Sequence, residues 1–286
     1  TTTEWIGHIH REAACPVAVA GNVGTAATSL VGDVDPAATI VCEASSFQLE
    51  DTMAFAPEVA VLLNLAPDHL DRHPSFQDYV AAKRRIFAHQ APDDVAILPD
   101  GLDLEPIGQA RLTRYGSGPE ARLAKHVSLP GEHNRRNAMA AAAACLARGI
   151  SEAAVAAGLR TFAGVPHRLE RIRSGGGIDW VNDSKATNVA STIVALEAFP
   201  GPVHLIAGGR GKGQDFSPLA PLVAERCRAA YLIGEAEGEL ATALAETGVP
   251  LHRCGDLEPA VARARTDARA GDTVLLVAER SGHAVG

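Results

Sequence analysis

The sequence predicts an α/β protein made of two consecutive α/β domains. Short apolar runs alternate with helical patterns along the chain, and this alternation starts again after residue 164. The runs are rich in Val, Ala and Ile and are bounded by Gly, Pro, Asn or Asp, which is typical of buried strands in parallel sheets. A chain of 286 residues is long enough for two domains of roughly 150 residues each. We therefore predict domains over residues 1–164 and 165–286.

In the first domain, four apolar runs predict strands, and three helical patterns accompany them. The opening residues, Thr1 to Ile6, are typical of the inside of a helix. Ser75 is a candidate N-cap for a helix whose apolar stripe begins at Phe76, and an alanine-rich helix is expected from about Asn134 to Ala147. The predicted strands are Pro16–Ala20, Ala38–Cys42, Val59–Leu65 and Val95–Leu98.

The second domain repeats the alternation of apolar runs and helical patterns, which predicts a second sheet. Gly175–Gly177 indicates a hairpin or loop turn near its beginning. Candidate strands are Ile178–Val181, Val203–Ala207, Ala230–Ile233 and Thr273–Val277. Candidate helices lie near Val189–Phe199, Leu219–Arg228, Glu237–Glu246 and Glu258–Ala270.

The composition argues against several classes of protein. The chain is 47% hydrophobic and 21% charged, as expected of a globular protein with a core. Its net charge of −8 argues against a general nucleic-acid binder but not against a local positive cluster for small anions. The five cysteines are scattered and never in C-x-x-C spacing, which indicates a reducing compartment and no zinc site. Without a bilayer-length apolar run or a signal-peptide pattern, a cytoplasmic protein is expected.

In open α/β sheets ligands bind at the carboxyl ends of strands, so polar motifs that follow the apolar runs are candidate sites. Glu43 and His69 follow the second and third runs. A carboxylate and an imidazole at such positions can share Mg²⁺, with waters and substrate oxygens completing the shell. The alternative is a Glu–His surface pair, or two polar residues that start helices.

Lys83 lies on the apolar stripe that begins at Phe76, where a helix normally places a core residue. Either the side chain snorkels to the surface, or its amine is needed in a partly buried site. In such a site the amine could pair with phosphate, or carry a modified, negatively charged end beside a metal.

Amides and cations mark further candidate positions. Asn134 and Asn137 lie three apart on one helix face, where they could read the edge of a purine, although Asn134 could simply be an N-cap. Arg168 follows Pro166-His167 at the predicted domain junction, where it could reach a phosphate or be a surface residue. The run Gly208–Gly213 has neither the Walker spacing nor a dinucleotide fingerprint. It is more typical of a turn that presents Arg210 and Lys212 to an anion.

Taken in order, the motifs resemble the Mur ligase family, and its glutamate-adding branch in particular. The resemblance extends from Gly21 to about Leu276. Its motifs are Gly21–Gly24, Glu43–Glu50, Asp68–His73, Ala81–Lys83, Gly131–Asn134 with Asn137, Pro166–Glu170, Asn182–Asn188 and Gly208–Lys212. In fold, the resemblance implies a central ATPase-type parallel-sheet domain followed by a Rossmann-like C-terminal domain.

In activity, the resemblance implies an ATP-dependent ligase of peptidoglycan precursor synthesis, and hence a part in cell-wall growth, cell shape and division. ATP would phosphorylate the carboxylate of UDP-N-acetylmuramoyl-L-alanine, and the glutamate amine would attack the acyl phosphate. The enzyme would be a cytoplasmic monomer that uses ATP and Mg²⁺ and acts on these small molecules, with no nucleic acid partner and no membrane insertion.

The resemblance also implies roles for individual residues. Glu43, His69 and a carbamylated Lys83 would be catalytic and would hold magnesium. Asn22, Ser45 and Gln48 would contact UDP-N-acetylmuramoyl-L-alanine, and Thr187 and Lys212 the glutamate carboxylate. ATP would be bound by Asn134, Asn137, Arg168, Asp183 and Lys185.

The sequence departs from the family pattern at both ends. The family's uridine-diphosphate domain and G-T-x-G-K-[ST] loop are not found before Thr1, and the family's Ser-Pro-Ala run does not follow Leu276. We therefore expect an incomplete central domain, a C-terminal domain truncated at its end, and little or no activity from this chain by itself. The alternatives are a related ligase that uses L-glutamate or another amino acid, a folylpolyglutamate synthase, a nucleotide-binding oxidoreductase, or a non-catalytic nucleotide-binding remnant.

Overall fold

A computed structural model describes residues 1–22, 24–66, 72–127, 129–209 and 214–278 of the chain. The chain forms two compact units. The first comprises Thr1–Leu129 and Asn134–Ala163, and the second comprises Pro130–His133 and the residues from Gly164 onward. Among the described residues, no helix has both the length and the apolar character to span a bilayer.

The first unit alternates short parallel strands with helices. Its strands are β1 (Val17–Gly21), β2 (Thr39–Glu43), β3 (Val59–Val61), β4 (Val95–Pro99) and β5 (Arg111–Tyr115). Its helices are α1 (Thr2–Glu12), α2 (Ser46–Glu50), α3 (Phe76–Arg84), α4 (Pro119–Leu123), α5 (Glu132–Ala147) and α6 (Glu152–Thr161), with 3₁₀ turns at Ala27–Leu30, Arg85–Phe87 and Ala124–His126.

The strands of the first unit form two parallel sheets. β1 pairs with β2, with Val17 opposite Thr39, and β4 lies between β3 and β5. Strand β4 is buried along Val95–Leu98, as expected for a central strand covered on both faces. Around the sheets, Trp5 of α1 stacks on Phe162 with ring centroids 4.7 Å apart. The alanine-rich face of α5 is also buried.

The second unit contains one six-stranded sheet. Its strands are β6 (Glu170–Gly175), β7 (Ile178–Asn182), β8 (Val203–Gly209), β9 (Cys227–Gly234), β10 (Leu251–Gly255) and β11 (Thr273–Ala278). Its helices are α7 (Val189–Glu197), α8 (Ala220–Arg226), α9 (Glu237–Ala243) and α10 (Leu257–Asp267), with 3₁₀ turns at Ser217–Leu219 and Ala245–Thr247. The spatial order is β10-β9-β8-β11-β7-β6, and β6 alone of these is antiparallel to its neighbour.

Side chains of the six-stranded sheet alternate between two cores, as the period of two in a strand requires. One face packs against α7, α8 and α9 and carries Val203, Leu205, Ala207, Ala230, Leu232, Leu275 and Val277. The opposite face packs against α10 and carries Ile206, Ala229, Tyr231, Ile233 and Val274. Helices on both faces explain why β8, β9 and β11 are almost continuously apolar.

The structure confirms the predicted α/β class, and each predicted strand is present, although β3 ends at Val61. The glycine run Gly175–Gly177 makes the predicted hairpin turn between β6 and β7. Helix α5 begins at Glu132, so the interpretation of Asn134 as an N-cap is wrong. Three strands lie outside the predicted set, namely β5, β6 and β10, and each is an edge strand. An edge strand needs no continuous apolar run, because it has a neighbour on one side only.

Gly208 allows a close approach between two parallel strands, which gives a stability prediction. Its φ is +144°, and an added Cβ would lie 1.9 Å from the carbonyl oxygen of Ile233 in β9. Gly248 also has a positive φ, +72°, but an added Cβ there would meet open space. We expect Gly208→Ala to destabilise the second unit by about 3 kcal/mol or more and Gly248→Ala by about 1 kcal/mol, because only the former adds a backbone clash to the strain.

Urea unfolding of the second unit measures this difference. Trp180 of β7 is its fluorescent reporter in a Trp5→Phe background, since the chain has 2 tryptophans. Equal losses in the free energy of unfolding for the two alanine variants would show that the close strand contact at Gly208 adds nothing to the cost of a positive φ.

Candidate active site

In the first unit, two of the predicted catalytic residues line one cavity. The cavity has a volume of about 530 Å³ and is bounded by β2, β3 and the buried face of α1. Glu43, the last residue of β2, and Lys83, near the end of α3, both line it. Thr3 Oγ1 donates a hydrogen bond to Glu43 Oε2 at 3.3 Å. The first turn of α1 therefore lies at the carboxyl end of β2, beside the carboxylate.

Lys83 is half-buried and lines the cavity. Its Nζ lies 5.0 Å from the ring centroid of Tyr79, one turn earlier on α3. Tyr79 is itself buried, with 6% of its surface exposed. A cation over a tyrosine face is attracted by the ring quadrupole. The aromatic ring thus holds the lysine end group at the cavity wall.

His69, the predicted third metal ligand, lies outside the described residues, as does the rest of 67–71. Within the described part of the chain, no group of three His, Cys, Asp or Glu side chains could hold a metal ion. The Glu43 carboxylate still offers an oxygen ligand of the kind that Mg²⁺ prefers. A carbamate on Lys83 would bring a second anionic oxygen donor to the same cavity.

The predicted substrate residues of the first unit lie around Glu43. The backbone N–H of Asn22 donates to the carbonyl oxygen of Glu43 at 2.8 Å. Ser45 caps α2: its Oγ accepts from the Gln48 N–H at 3.2 Å, and its own N–H donates to Gln48 Oε1 at 2.9 Å. This capping box explains Ser45 and Gln48 structurally. It also fixes the positions of both side chains, which follow Glu43 by two and five residues in the sequence.

In the second unit, a strained loop presents Arg168. His167 and Leu169, on either side of Arg168, have φ of +65° and +43°, a conformation that costs non-glycine residues on the order of 1 kcal/mol or more. The loop is tied to the segment after β7, because the Lys185 N–H donates to the His167 carbonyl at 3.1 Å. Asn182 Nδ2 also lies 2.9 Å from His167 Nδ1. Arg168 and Lys185 are both exposed at this edge.

Asp183 is the buried carboxylate of this edge, with 5% of its surface exposed. Burial raises the pKa of Asp183, while the charge of Arg168 and a backbone hydrogen bond from Leu169 lower it. Its Oδ1 has no hydrogen-bond partner among the described residues. A buried acceptor without a partner is costly. The atom is therefore free to accept a hydrogen bond from a ligand.

His133 is a residue of this edge that the sequence analysis did not assign to a site. Burial lowers the pKa of His133, and the nearby charge of Arg168 lowers it further. Gly131 makes room for the imidazole, since an added Cβ would lie 2.6 Å from His133 Cε1. The motif Gly131–Asn134 contains this histidine, next to the asparagine that the sequence marks as a candidate nucleotide contact.

Thr187 lines a small cavity of about 30 Å³ in the second unit, together with Asn188, Thr192 and Gln214. Gln214 Nε2 donates to the Thr187 carbonyl at 3.4 Å. Because Ala207 and Gly208 line the same cavity, Thr187 lies beside the carboxyl end of β8, and its role toward glutamate stays a prediction. Its proposed partner Lys212 lies outside the described residues.

Asn134 and Asn137 lie three residues apart on α5 of the first unit. Asn134 is 4% exposed, and Asn137 is half-buried. The spacing places both amides on one face of the helix.

Two family models match the chain: "Mur ligase middle domain" over residues 1–111 and "Mur ligase, glutamate ligase domain" over residues 167–280. Among curated proteins, it is 42% identical over 294 residues to the UDP-N-acetylmuramoylalanine--D-glutamate ligase of Anaeromyxobacter dehalogenans, covering 90% of this chain and 63% of that protein. It is 40% identical over 298 residues to the protein of the same name from Solibacter usitatus, covering 96% and 67%.

Solved structures share the fold at lower identity. MurF from Acinetobacter baumannii matches with a TM-score of 0.74 and 20% identity, over 99% of this chain and 71% of that one. MurF ligase from Thermotoga maritima in complex with ADP matches with a TM-score of 0.72 and 18% identity, over 98% and 74%.

The chain spans about two thirds of the length of its curated relatives, 63% of one and 67% of the other. Over that span, the identity of 40% or more and the two family models agree with the motifs found in the sequence. The chain belongs to the Mur ligase family.

Proposed function

We propose that this chain is the central and C-terminal part of an ATP-dependent ligase that joins D-glutamate to UDP-N-acetylmuramoyl-L-alanine in peptidoglycan precursor synthesis. The proposed domains are residues 1–164 and 165–286. The observation that carries the proposal is the cavity that Glu43 and Lys83 share. The names of the relatives support the choice of substrates. We further propose that the enzyme acts as a cytoplasmic monomer.

The proposed reaction has two steps. The substrate carboxylate first attacks the γ-phosphorus of ATP, which forms an acyl phosphate and releases ADP. The glutamate amine then attacks the acyl carbon, the C–O bond to phosphate breaks, and the nitrogen loses a proton. Such phosphoryl transfer depends on positioning and charge stabilisation more than on covalent catalysis by the protein.

In this scheme Lys83 acts as a carbamate. Its neutral amine adds to CO₂ and loses a proton, which turns a cation on the cavity wall into an anion. The carbamate, Glu43 and His69 would hold Mg²⁺, and the ion would neutralise charge on the transferring phosphoryl group. Thr3, which donates to Glu43 at 3.3 Å, orients the carboxylate. Asn22, Ser45 and Gln48, next to Glu43, would contact UDP-N-acetylmuramoyl-L-alanine.

In the second unit we assign Arg168, Asp183 and Lys185 to the nucleotide. The unpartnered Oδ1 of Asp183 suits a ligand hydroxyl group such as that of ribose, and the two exposed cations suit phosphate. Thr187 and Lys212 would hold the side-chain carboxylate of glutamate. In the first unit, the paired amides of Asn134 and Asn137 would contact ATP.

Ligation assays on the full-length protein that contains residues 1–286 test this function. ADP release should require ATP, UDP-N-acetylmuramoyl-L-alanine and D-glutamate together, and L-glutamate should support less than about a hundredth of the rate. Lys83→Arg, which cannot form the carbamate, should lower kcat by roughly a hundredfold. Lys125→Arg, at an exposed lysine of the first unit, is the matched control and should leave kcat unchanged. A preference for L-glutamate or for a folate would contradict the assignment.

Asp183→Asn should separate stability from binding. Because burial raises the pKa of Asp183, the folded chain holds this proton more tightly than the unfolded chain, and ionisation opposes folding above the raised pKa. The neutral amide should therefore stabilise the second unit at pH 7, with a gain that fades as the pH falls through that pKa. Nucleotide affinity should fall about tenfold or more, because an acceptor of a ligand hydrogen bond loses its charge.

Urea unfolding across pH and calorimetric titration with ATP measure these two effects. Asp256→Asn, at an exposed carboxylate of the same unit whose side chain makes no capping hydrogen bond, controls for the change of charge. Loss of stability at pH 7 together with unchanged nucleotide affinity would assign Asp183 a structural role alone.

A further inference from the structure

We propose that His73 is a positioning residue that fixes α2 relative to α3, and so sets Ser45 and Gln48 in register with Lys83. The inference rests on the proposed function for the significance of those three side chains. His73 belongs to the motif Asp68–His73, but the scheme above gives it no task. Its side chain is buried, with 1% of the residue exposed.

His73 contacts α2 along its whole length. Its Nε2 lies 2.9 Å from Ser46 Oγ, at the first residue of the helix. Its ring stacks on Phe47, with centroids 5.4 Å apart and an interplanar angle of 14°. Its Nδ1 lies 3.3 Å from Glu50 Oε1, at the last residue of the helix. One imidazole therefore contacts both ends of α2, and this helix begins with the Ser45–Gln48 capping box.

The same ring contacts α3 through its edge. His73 and Tyr79 form a T-shaped pair with centroids 5.4 Å apart, a favoured geometry for aromatic rings. The Tyr79 ring in turn lies 5.0 Å from Lys83 Nζ. A continuous series of contacts thus leads from Ser46 through His73 and Tyr79 to Lys83, all within the first unit.

The chemistry of the residue distinguishes positioning from simple packing. Burial of an imidazole costs free energy that a phenyl ring would not cost, unless directional contacts compensate for it. Here the directional contact is the one between Nε2 and Ser46 Oγ, at the first residue of α2. Nδ1 makes no hydrogen bond within the described part of the chain, although Glu50 Oε1 lies 3.3 Å away. A hydrogen bond is directional, so it specifies the rotation and translation of a helix better than ring stacking does.

Helix α2 remains attached when His73 is changed, because Arg85 still holds the carboxyl end of the helix. Arg85 Nε donates to the Leu49 carbonyl at 2.8 Å, and its guanidinium also donates to the Thr52 carbonyl. Loss of the His73 contacts should therefore loosen the orientation of α2 without unfolding the unit. Misplacement of reacting groups by about 1 Å costs up to a hundredfold in rate.

Two variants divide the contacts of His73. His73→Gln retains a donor near Ser46 but loses the ring against Tyr79, and His73→Phe retains the ring but loses the polar contacts. In the full-length enzyme, we expect His73→Phe to raise KM for UDP-N-acetylmuramoyl-L-alanine about tenfold with an unchanged urea midpoint. We expect His73→Gln to keep that KM, to lower kcat, and to reduce the Lys83 carbamate signal in NMR with ¹³C-bicarbonate. The control is Gln77→Ala, at an exposed residue of α3, which should match wild type.

Hydrogen exchange tests the positioning independently of the proposed function. In the 286-residue chain, His73→Phe should accelerate exchange of the Gln48 and Leu49 amides about tenfold, since these donate to Ser45 at the start of α2. Unchanged exchange would overturn the role of His73. So would a rise in KM and a fall in kcat that merely follow a lower urea midpoint. Absence of ligation and of carbamate in wild type, with accelerated exchange in the variant, would contradict the proposed function and leave the positioning role supported.

Discussion

In both units, a strand carries a glycine at or next to its last residue, and the missing side chain lets the strand lie against the backbone of the neighbouring parallel strand. An added Cβ on Gly21 would lie 2.1 Å from the Glu43 carbonyl oxygen, and one on Gly208 would lie 1.9 Å from that of Ile233. These approaches bring the carboxyl ends of paired strands into register. The Glu43 carbonyl oxygen thereby accepts a hydrogen bond from the backbone N–H of Asn22 at 2.8 Å. Gly208 lines the same small cavity as Thr187. The candidate site residues around β2 and β8 depend on this constraint.

Several groups at these edges carry a cost in stability, which fits the ligand contacts proposed for them. Asp183 is buried with an oxygen that lacks a protein partner, and two left-handed residues flank Arg168. Lys83 lies half-buried on the wall of a cavity. Strain and unsatisfied polarity of this kind concentrate at functional sites, where ligand contacts replace the missing ones. The core around Leu205, Leu232 and Leu275 is built from apolar side chains.

The sequence predicted the buried strands well, because a strand covered on both faces must be apolar throughout. It did not predict β5, β6 or β10, since edge strands such as Glu170–Gly175 carry polar side chains on exposed positions. Glu43 was singled out because it follows a predicted strand and Lys83 because it lies on an apolar stripe, but only the family resemblance placed the two at one site. His73 and His133 could not be singled out in this way, because their significance lies in contacts across elements, with α2 and Tyr79 for one and with Arg168 for the other. The metal pair of Glu43 with His69 stays a prediction, since His69 lies outside the described residues.

The central claim is that the cavity of Glu43 and Lys83 is where a substrate carboxylate becomes an acyl phosphate. Borohydride trapping tests it most directly: the full-length enzyme is incubated with ATP and UDP-N-acetylmuramoyl-L-alanine, without glutamate, and then reduced. Hydride converts an acyl phosphate to the alcohol but leaves a free carboxylate intact. We predict an ATP-dependent alaninol product that is lost in Glu43→Gln. Full ligation activity without any trapped alcohol, or equal trapping in Glu43→Gln, would contradict the account.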